Sequence, residues 1–206
     1  MPDECAILRV KKNKRQGFFM KQKIYETSIA LFEKAGFSNT SIQDIVNCLG
    51  VTKGTFYYYF QSKEQLLMNI HLDYMERLLT QQHEILRNET LDNRAKVYEL
   101  VYMLLRNIET QGTNARVFFR EMRHLNKENL EFIKGKRDQI RTGMTDVIKA
   151  GIKEGEFRKD LNPEIVALGI LGACNWSYNW FNPEGEFSDQ EVARIYIDMI
   201  LHGIET

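Results

Sequence analysis

The sequence is poor in proline and has no long apolar run. The first feature favours a helical fold, and the second argues against a membrane protein. Its 206 residues contain only three prolines, while good helix formers are common, a balance typical of helical proteins. No run of twenty apolar residues occurs, so no membrane span is expected. The apolar stretch 6–8 is too short for a signal peptide and precedes the basic residues. We therefore expect an all-α, cytoplasmic protein.

Cysteine and histidine are also scarce, which argues against a metal site or a disulfide framework. Cys5, Cys48 and Cys174 are widely separated, and the four histidines do not cluster with acids at ligand spacing. Cys48 and Cys174 lie in apolar runs, so both are expected to be buried. No metal or cofactor is predicted. Neither G-x-S-x-G nor H-E-x-x-H occurs, so we predict no enzyme, with an acyl-binding enzyme as the distant alternative.

The charge is balanced overall but unevenly distributed. Residues 1–63 hold ten Lys and Arg against five Asp and Glu, whereas the remainder is mildly acidic. Residues 9–15, RVKKNKR, are predicted to form a mobile basic arm ahead of a first helix from Phe18 to Ala35. A basic end on an acidic body is what a nucleic-acid-binding protein with a second function would need.

A helix-turn-helix is predicted directly after this first helix. Gly36 stands where a left-handed helix cap belongs, and the T-x-x-Q sequence from Thr40 to Gln43 has the form of a capping box. The following short helix has an apolar row at i, i+3, i+4 and i+7, and Gly50 ends it. Only two residues separate Gly50 from the next short helix, Lys53 to Tyr59, and two short helices joined by a tight glycine turn define this motif.

The second short helix has the composition of a DNA-reading helix. Phe56 and Phe60 share one helical face and can pack inward, which leaves polar and tyrosine side chains outside. The free N–H groups at its start can bind a phosphate, and a glycine there lets the backbone approach DNA. Residues at the starts of the neighbouring helices can clamp flanking phosphates. The predicted DNA-binding residues are Thr40, Ser41, Thr52, Lys53, Gly54, Thr55, Tyr57, Tyr58, Tyr59 and Lys63. The alternative use of the tyrosines is as a protein-binding surface of a helical adaptor.

Residues 28–63, SIALFEKAGFSNTSIQDIVNCLGVTKGTFYYYFQSK, resemble the N-terminal domain of TetR/AcrR transcriptional regulators. The sequence departs from the family pattern at Val46-Asn47, where Ile-Ala is usual, and at Tyr59, where histidine is common. The resemblance implies an all-α homodimer, palindromic operator DNA and a C-terminal ligand-binding domain. It places Thr52, Lys53, Thr55, Tyr57, Tyr58 and Lys63 at DNA. Residues 1–62 would then form the DNA-binding domain and residues 63–206 the ligand-binding and dimerisation domain.

The remaining sequence predicts a helical body, giving about nine helices in all. Ser62 to Gln65 and Ser188 to Glu191 have capping-box spacing, and Asn162-Pro163 precedes a strongly apolar helix, residues 164–181. The small and aromatic residues of this helix, together with the last helix, predict an isologous four-helix dimer interface. A ligand-pocket wall is the alternative role for its polar-tipped residues.

Residues 164–187 are also similar to a subset of the family that represses fatty-acid degradation and releases DNA on binding an acyl-CoA thioester. This resemblance implies a repressor whose effector is hydrophobic, with a long-chain acyl-CoA as the candidate and a drug-like hydrophobe as the alternative. An acyl chain would lie among apolar side chains, and the CoA phosphates would need basic groups at the pocket mouth. The predicted ligand-binding residues are Phe118, Phe119, Arg120, Met122, Arg123, Met144, Asn175 and Trp176.

Overall fold

The computed structural model describes residues 4–182 and 184–204, with side chains from residue 18 onward except that of residue 109. The all-α prediction is confirmed. Within this described part there are nine α-helices and two 3-10 turns, the turns at Met122–His124 and Ser177–Asn179. The helices are α1 Glu4–Ala35, α2 Ile42–Leu49, α3 Lys53–Tyr59, α4 Lys63–Arg87, α5 Asn93–Thr110, α6 Gly112–Glu121, α7 Lys127–Glu154, α8 Pro163–Trp176 and α9 Asp189–Ile204.

Three of the predicted capping residues lie at the starts of their helices. Ser62 caps α4, Asn162 caps α8 ahead of Pro163, and Ser188 forms a reciprocal pair with Glu191 at the start of α9. The capping box of α2 lies one residue later than predicted, since Ser41 and Asp44 form it. Thr40 cannot act as the cap because its hydroxyl points inward and donates to the carbonyl of Gly36 at 2.9 Å.

Two helix boundaries differ from those predicted. The first helix begins at Glu4 rather than near Phe18, so the expected mobile arm at residues 9–15 is helical. No glycine or proline lies between Glu4 and Gln16, and the lysines and arginines there are good helix formers. The apolar helix α8 ends at Trp176 rather than near residue 181, because the chain tightens there into the 3-10 turn.

The three N-terminal helices have their own apolar core. α2 packs on α1 and α3 packs on α2, which buries Ile24 and Phe32 of α1 with Ile45, Phe56 and Phe60. Cys48 was expected in this core but is exposed, because it lies beside the buried row of α2 rather than on it. Cys174 is buried as expected, and the side chain of Cys5 is outside the described residues.

The remaining six helices form the body. α5 is central and contacts α4, α7, α8 and α9, while α7 also lies against α4 and α8. Among the described residues no helix is long and apolar enough to cross a membrane.

Helix α6 joins the two halves of the molecule. It contacts α1 as well as α4 and α5, and Arg116 of α6 pairs with Glu33 of α1 at 2.8 Å. The buried His71 of α4 places its ring nitrogens 2.8 Å from the carbonyl oxygen of Leu67 and 3.1 Å from that of Phe118. A displacement of α6 would therefore change its contacts with both α1 and α4.

Candidate DNA-binding surface and internal cavity

The second helix of the helix-turn-helix presents one apolar and one polar face. Phe56 is fully buried, and Thr52 caps the helix by accepting a hydrogen bond from the backbone N–H of Thr55. On the outer side, Tyr57 is 54% and Tyr58 80% exposed. Lys53 and Gly54 are also exposed, so the first turn of α3 is open to solvent. The exposed start of α3, Lys53 and two tyrosines thus lie on the solvent side of the helix.

Gly54 is required neither by backbone conformation nor by packing. The described glycines with positive φ are Gly36, Gly50 and Gly155, so Gly54 has ordinary helical geometry. A Cβ built at Gly54 would meet its nearest neighbour, Oγ1 of Thr52, at 3.5 Å, which is a normal van der Waals contact. A glycine in a helix costs stability relative to alanine. The protein fold therefore gives no reason for glycine here, whereas close approach to a ligand would.

The predicted phosphate clamps occupy different environments. Ser41 is exposed at the start of α2, whereas the Thr40 side chain is only 2% exposed and holds the preceding loop. Tyr59 is partly buried, with its ring edge-on to Tyr58 at 4.8 Å. The ammonium group of Lys63 donates to the carbonyls of Phe37 and Thr40 at 2.8 and 2.7 Å and lies over the Phe37 ring. Lys63 thus ties α4 to the α1–α2 loop, and Thr40 has no outward-facing hydroxyl.

A cavity of about 420 Å³, partly open to solvent, lies in the body among α4, α5, α6, α7 and α8. Its volume is within the range of pockets that hold small organic ligands. Most of its wall is apolar. The apolar and aromatic lining residues are Tyr74, Met75, Leu78, Leu104, Phe118, Phe119, Ile140, Leu168 and Leu171, with Gly172 beside them.

A few polar groups line the same cavity. Tyr74 is buried, and its hydroxyl has no hydrogen-bond partner among the residues described; desolvation raises its pKa above the ordinary value, so it remains a neutral donor. The Asn175 side chain likewise bonds to no other described side chain or backbone group. On α7, the lining includes Lys134, Arg137, Asp138 and Arg141. These groups give an apolar chamber one charged side.

Three of the eight predicted ligand-binding residues line the cavity, namely Phe118, Phe119 and Asn175. Met144 is buried in the core, and the Met122 sulfur instead contacts Arg137. Arg120, Arg123 and Trp176 are exposed and outside the lining, since each lies on a side of its helix turned away from the chamber.

The basic residues that do line the cavity were not predicted. Lys134, Arg137 and Arg141 are spaced i, i+3 and i+7, which places them on one face of α7. That spacing was readable in the sequence. The sequence did not show that α7 lies beside the cavity, and a basic helix face usually only contacts solvent.

Both of the last two helices expose apolar side chains, and Leu168 and Gly172 of α8 lie where this exposed side meets the open cavity. Ile165, Leu168 and Trp176 of α8 are exposed, as are Ile195 and Met199 of α9. The glycines of α8, at positions 169 and 172, have nothing within 4 Å of a built Cβ, so the helix backbone is accessible. Exposed apolar side chains beside small residues are typical of a helix–helix contact with another chain.

A helix-turn-helix followed by a helical body with an internal cavity defines a class of DNA-binding transcriptional regulators. Residues 24–70 match the family described as "Bacterial regulatory proteins, tetR family". Residues 90–204, more than half of the chain, match "Tetracyclin repressor-like, C-terminal domain". The chain belongs to the TetR family of transcriptional regulators. This membership confirms the predicted family and the prediction that the protein is not an enzyme.

Relatives and solved structures of this family align with nearly the whole chain. The HTH-type transcriptional repressor KstR2 of Rhodococcus jostii (strain RHA1) is 27% identical over 183 residues, which cover 88% of this chain and 89% of the repressor. The structure of the ketosteroid transcriptional regulator KstR2 of Mycobacterium tuberculosis has a TM-score of 0.84 at 25% identity, covering 90% of this chain and 95% of that one. AibR, solved in complex with isovaleryl coenzyme A and operator DNA, shares the fold with a TM-score of 0.78 at 23% identity, covering 87% and 97%.

Proposed function

We propose that this regulator is a dimeric repressor that binds palindromic operator DNA in the cytoplasm and is released from it by a hydrophobic effector. The DNA-binding domain is residues 1–62, and residues 63–206 bind the effector and form the dimer. The open first turn of α3 carries this proposal, because Lys53, Gly54, Tyr57 and Tyr58 lie outside while Phe56 holds the helix to the domain.

The residues on α3 have the chemistry that DNA recognition needs. The N–H groups of the first turn and Lys53 bind phosphate, and Lys53 can also reach a guanine edge. Tyrosine rings and the Thr55 methyl group can contact thymine methyls. The exposed Ser41 can contact a flanking phosphate when its hydroxyl turns away from the Asp44 carboxylate, to which it donates at 2.7 Å. Thr52, Tyr59 and Lys63 have a second task in the protein itself, as cap, packing group and loop anchor.

Dimerisation brings two copies of α3 to one face of the operator. We assign the interface to the apolar surface of α8 and α9, which the chain by itself leaves exposed. A two-fold interface is self-complementary, so one surface of this kind is sufficient. The two recognition helices must then lie one DNA turn apart, roughly 34–36 Å, to contact both half-sites.

The effector acts by binding more tightly to the conformation that cannot bind DNA. Phe118 and Phe119 of α6 line the cavity, and α6 also contacts α1 and α4. An effector that moves α6 or tilts α4 changes the spacing of the recognition helices. A long-chain acyl-CoA is the first candidate, supported by the resemblance of residues 164–187 and by the fold shared with AibR. A ketosteroid-like or drug-like hydrophobe is the second, supported by the likeness to KstR2.

Fluorescence anisotropy on DNA from upstream of the protein's own gene tests the proposal. We expect tight binding that weakens steeply with salt, because phosphate contacts release counterions. Added long-chain acyl-CoA should abolish this DNA binding. A steroid ketone, added in a separate titration, tests the second candidate effector. Operator binding that neither ligand weakens would support the DNA-binding role and rule out both candidate effectors.

The same experiment separates the alternative functions. A protein adaptor that uses Tyr57 and Tyr58 would not bind this DNA or a pool of genomic fragments. A variant that removes Lys53 should lose operator affinity, with Lys149 on the exposed surface of α7 as the matched control. Equal losses from both replacements would contradict the assignment of α3 to DNA.

A further inference from the structure

The cavity is partly open to solvent; most of its lining is apolar, but the side formed by α7 is basic. Lys134, Arg137 and Arg141 line it together with a single carboxylate, Asp138. The arginines of α6 and of the turn that follows it, Arg116, Arg120 and Arg123, do not contribute to this wall. The positive charge at the cavity therefore comes from one helix face.

Two of these three cations already have carboxylate partners. Lys134 pairs with Glu131 at 2.7 Å, and Arg141 pairs with Asp138 at 3.2 Å. Within the described chain no carboxylate lies at ion-pair distance from Arg137, whose guanidinium contacts only the thioether sulfur of Met122, at 3.8 Å. A thioether is a weak acceptor, so the solvent-exposed guanidinium of Arg137 has no strong acceptor within the described chain and can bind an anion.

Arginine presents a planar set of donors that matches a carboxylate or a phosphate. Tyr74 and Asn175 add neutral polar groups to the apolar part of the wall, and neither side chain has a hydrogen-bond partner among the described residues. A purely apolar effector would leave the buried hydroxyl of Tyr74 without a partner, which is costly, and would make no use of the exposed guanidinium of Arg137.

We infer that the effector is an amphiphile, with an apolar body in the cavity and an anionic group held by Arg137 beside Lys134 and Arg141. The inference rests on the proposed function, since it specifies the ligand of the same cavity. The anion is a carboxylate of a free acid or a phosphate of a larger conjugate that remains outside the chamber of about 420 Å³. Tyr74 and Asn175 then donate to an oxygen carried by the apolar body.

Calorimetric titration of the full-length protein without DNA tests this inference. Decanoate, decanoyl-CoA and decan-1-ol share one tail and differ only in the head. We expect at least one anionic compound to bind roughly tenfold or more tightly than the alcohol. One charge-assisted hydrogen bond is sufficient for a gain in affinity of this size. If decanoate suffices, the anion is a carboxylate. If only the thioester binds tightly, the anion is a phosphate.

Arg137→Gln should remove most of this difference and leave decan-1-ol binding unchanged. Arg120→Gln is the matched control, because Arg120 is an exposed arginine outside the cavity. Equal affinity for the three compounds, no binding of any of them, or an effect of Arg120→Gln alone would overturn the inference. Operator release, measured separately, distinguishes the two proposals: anion binding through Arg137 without release contradicts the proposed function only.

Discussion

A methyl group added at Gly54 should increase stability while it weakens DNA binding. Gly54 has helical geometry, and the nearest atom to a built Cβ is 3.5 Å away, so Gly54→Ala introduces no clash within the protein. Alanine loses less backbone entropy than glycine on folding, and we expect a gain of about 0.5–1 kcal/mol. For a chain of this size that gain raises the melting temperature by roughly 1–4 °C.

The same methyl group would occupy the space that DNA needs at the start of α3. Losing one phosphate or base contact there should reduce operator affinity on the order of tenfold or more. The two effects have opposite signs, so loss of fold cannot explain loss of binding. Melting curves and anisotropy titrations at one fixed salt concentration give the two quantities.

Gly135 provides the matched control. It is exposed on α7, a built Cβ there meets nothing within 4 Å, and it is far along the chain from the recognition helix. Gly135→Ala should therefore give a similar gain in stability with unchanged operator affinity. If Gly54→Ala binds the operator like the wild-type protein, or unfolds more easily, the argument that Gly54 serves DNA approach is refuted.

Three other perturbations test separate parts of the structure. Tyr58→Ala should weaken operator binding without changing the melting temperature, because Tyr58 is 80% exposed; the exposed Tyr98 of α5 is the control, and anisotropy is the measurement. Met199→Glu should convert a dimer to monomers in sedimentation experiments, whereas Phe132→Glu on α7 should not, and a dimer that survives the first change would place the interface elsewhere. Burial lowers the pKa of His71 from its ordinary value of 6.5, so the unfolded chain binds its proton more readily. The free energy of unfolding in urea should therefore fall as the pH drops below 6.5, and His71→Gln should reduce that dependence; an unchanged slope would contradict it.

The helix-turn-helix was predictable because its signals are local. The spacing of Phe56 and Phe60, the glycine at position 50 and the capping serine at 62 each act within one or two helical turns. The capping box of α2 lies one residue later than predicted because the Thr40 hydroxyl donates to backbone carbonyls inside the domain. A sequence pattern cannot decide between two adjacent hydroxyl residues when tertiary contacts select one of them.

The cavity was predictable only in part, since its wall comes from five helices. Phe118, Phe119 and Asn175 were identified from their own surroundings in the sequence. Arg120 and Arg123 were predicted as basic groups at the pocket mouth, but both are exposed and neither lines the cavity. Arg137 was missed because its role depends on α7 lying beside the chamber.

The sequence by itself determined the class of fold, the helix-turn-helix and the residues that α3 presents, because helix periodicity and capping are short-range properties of the chain. Only the tertiary structure decided that Lys63 anchors a loop, that Thr40 faces inward and that the cations of α7 line the cavity. These outcomes depend on which helix faces meet, and packing between segments far apart in the sequence sets that arrangement.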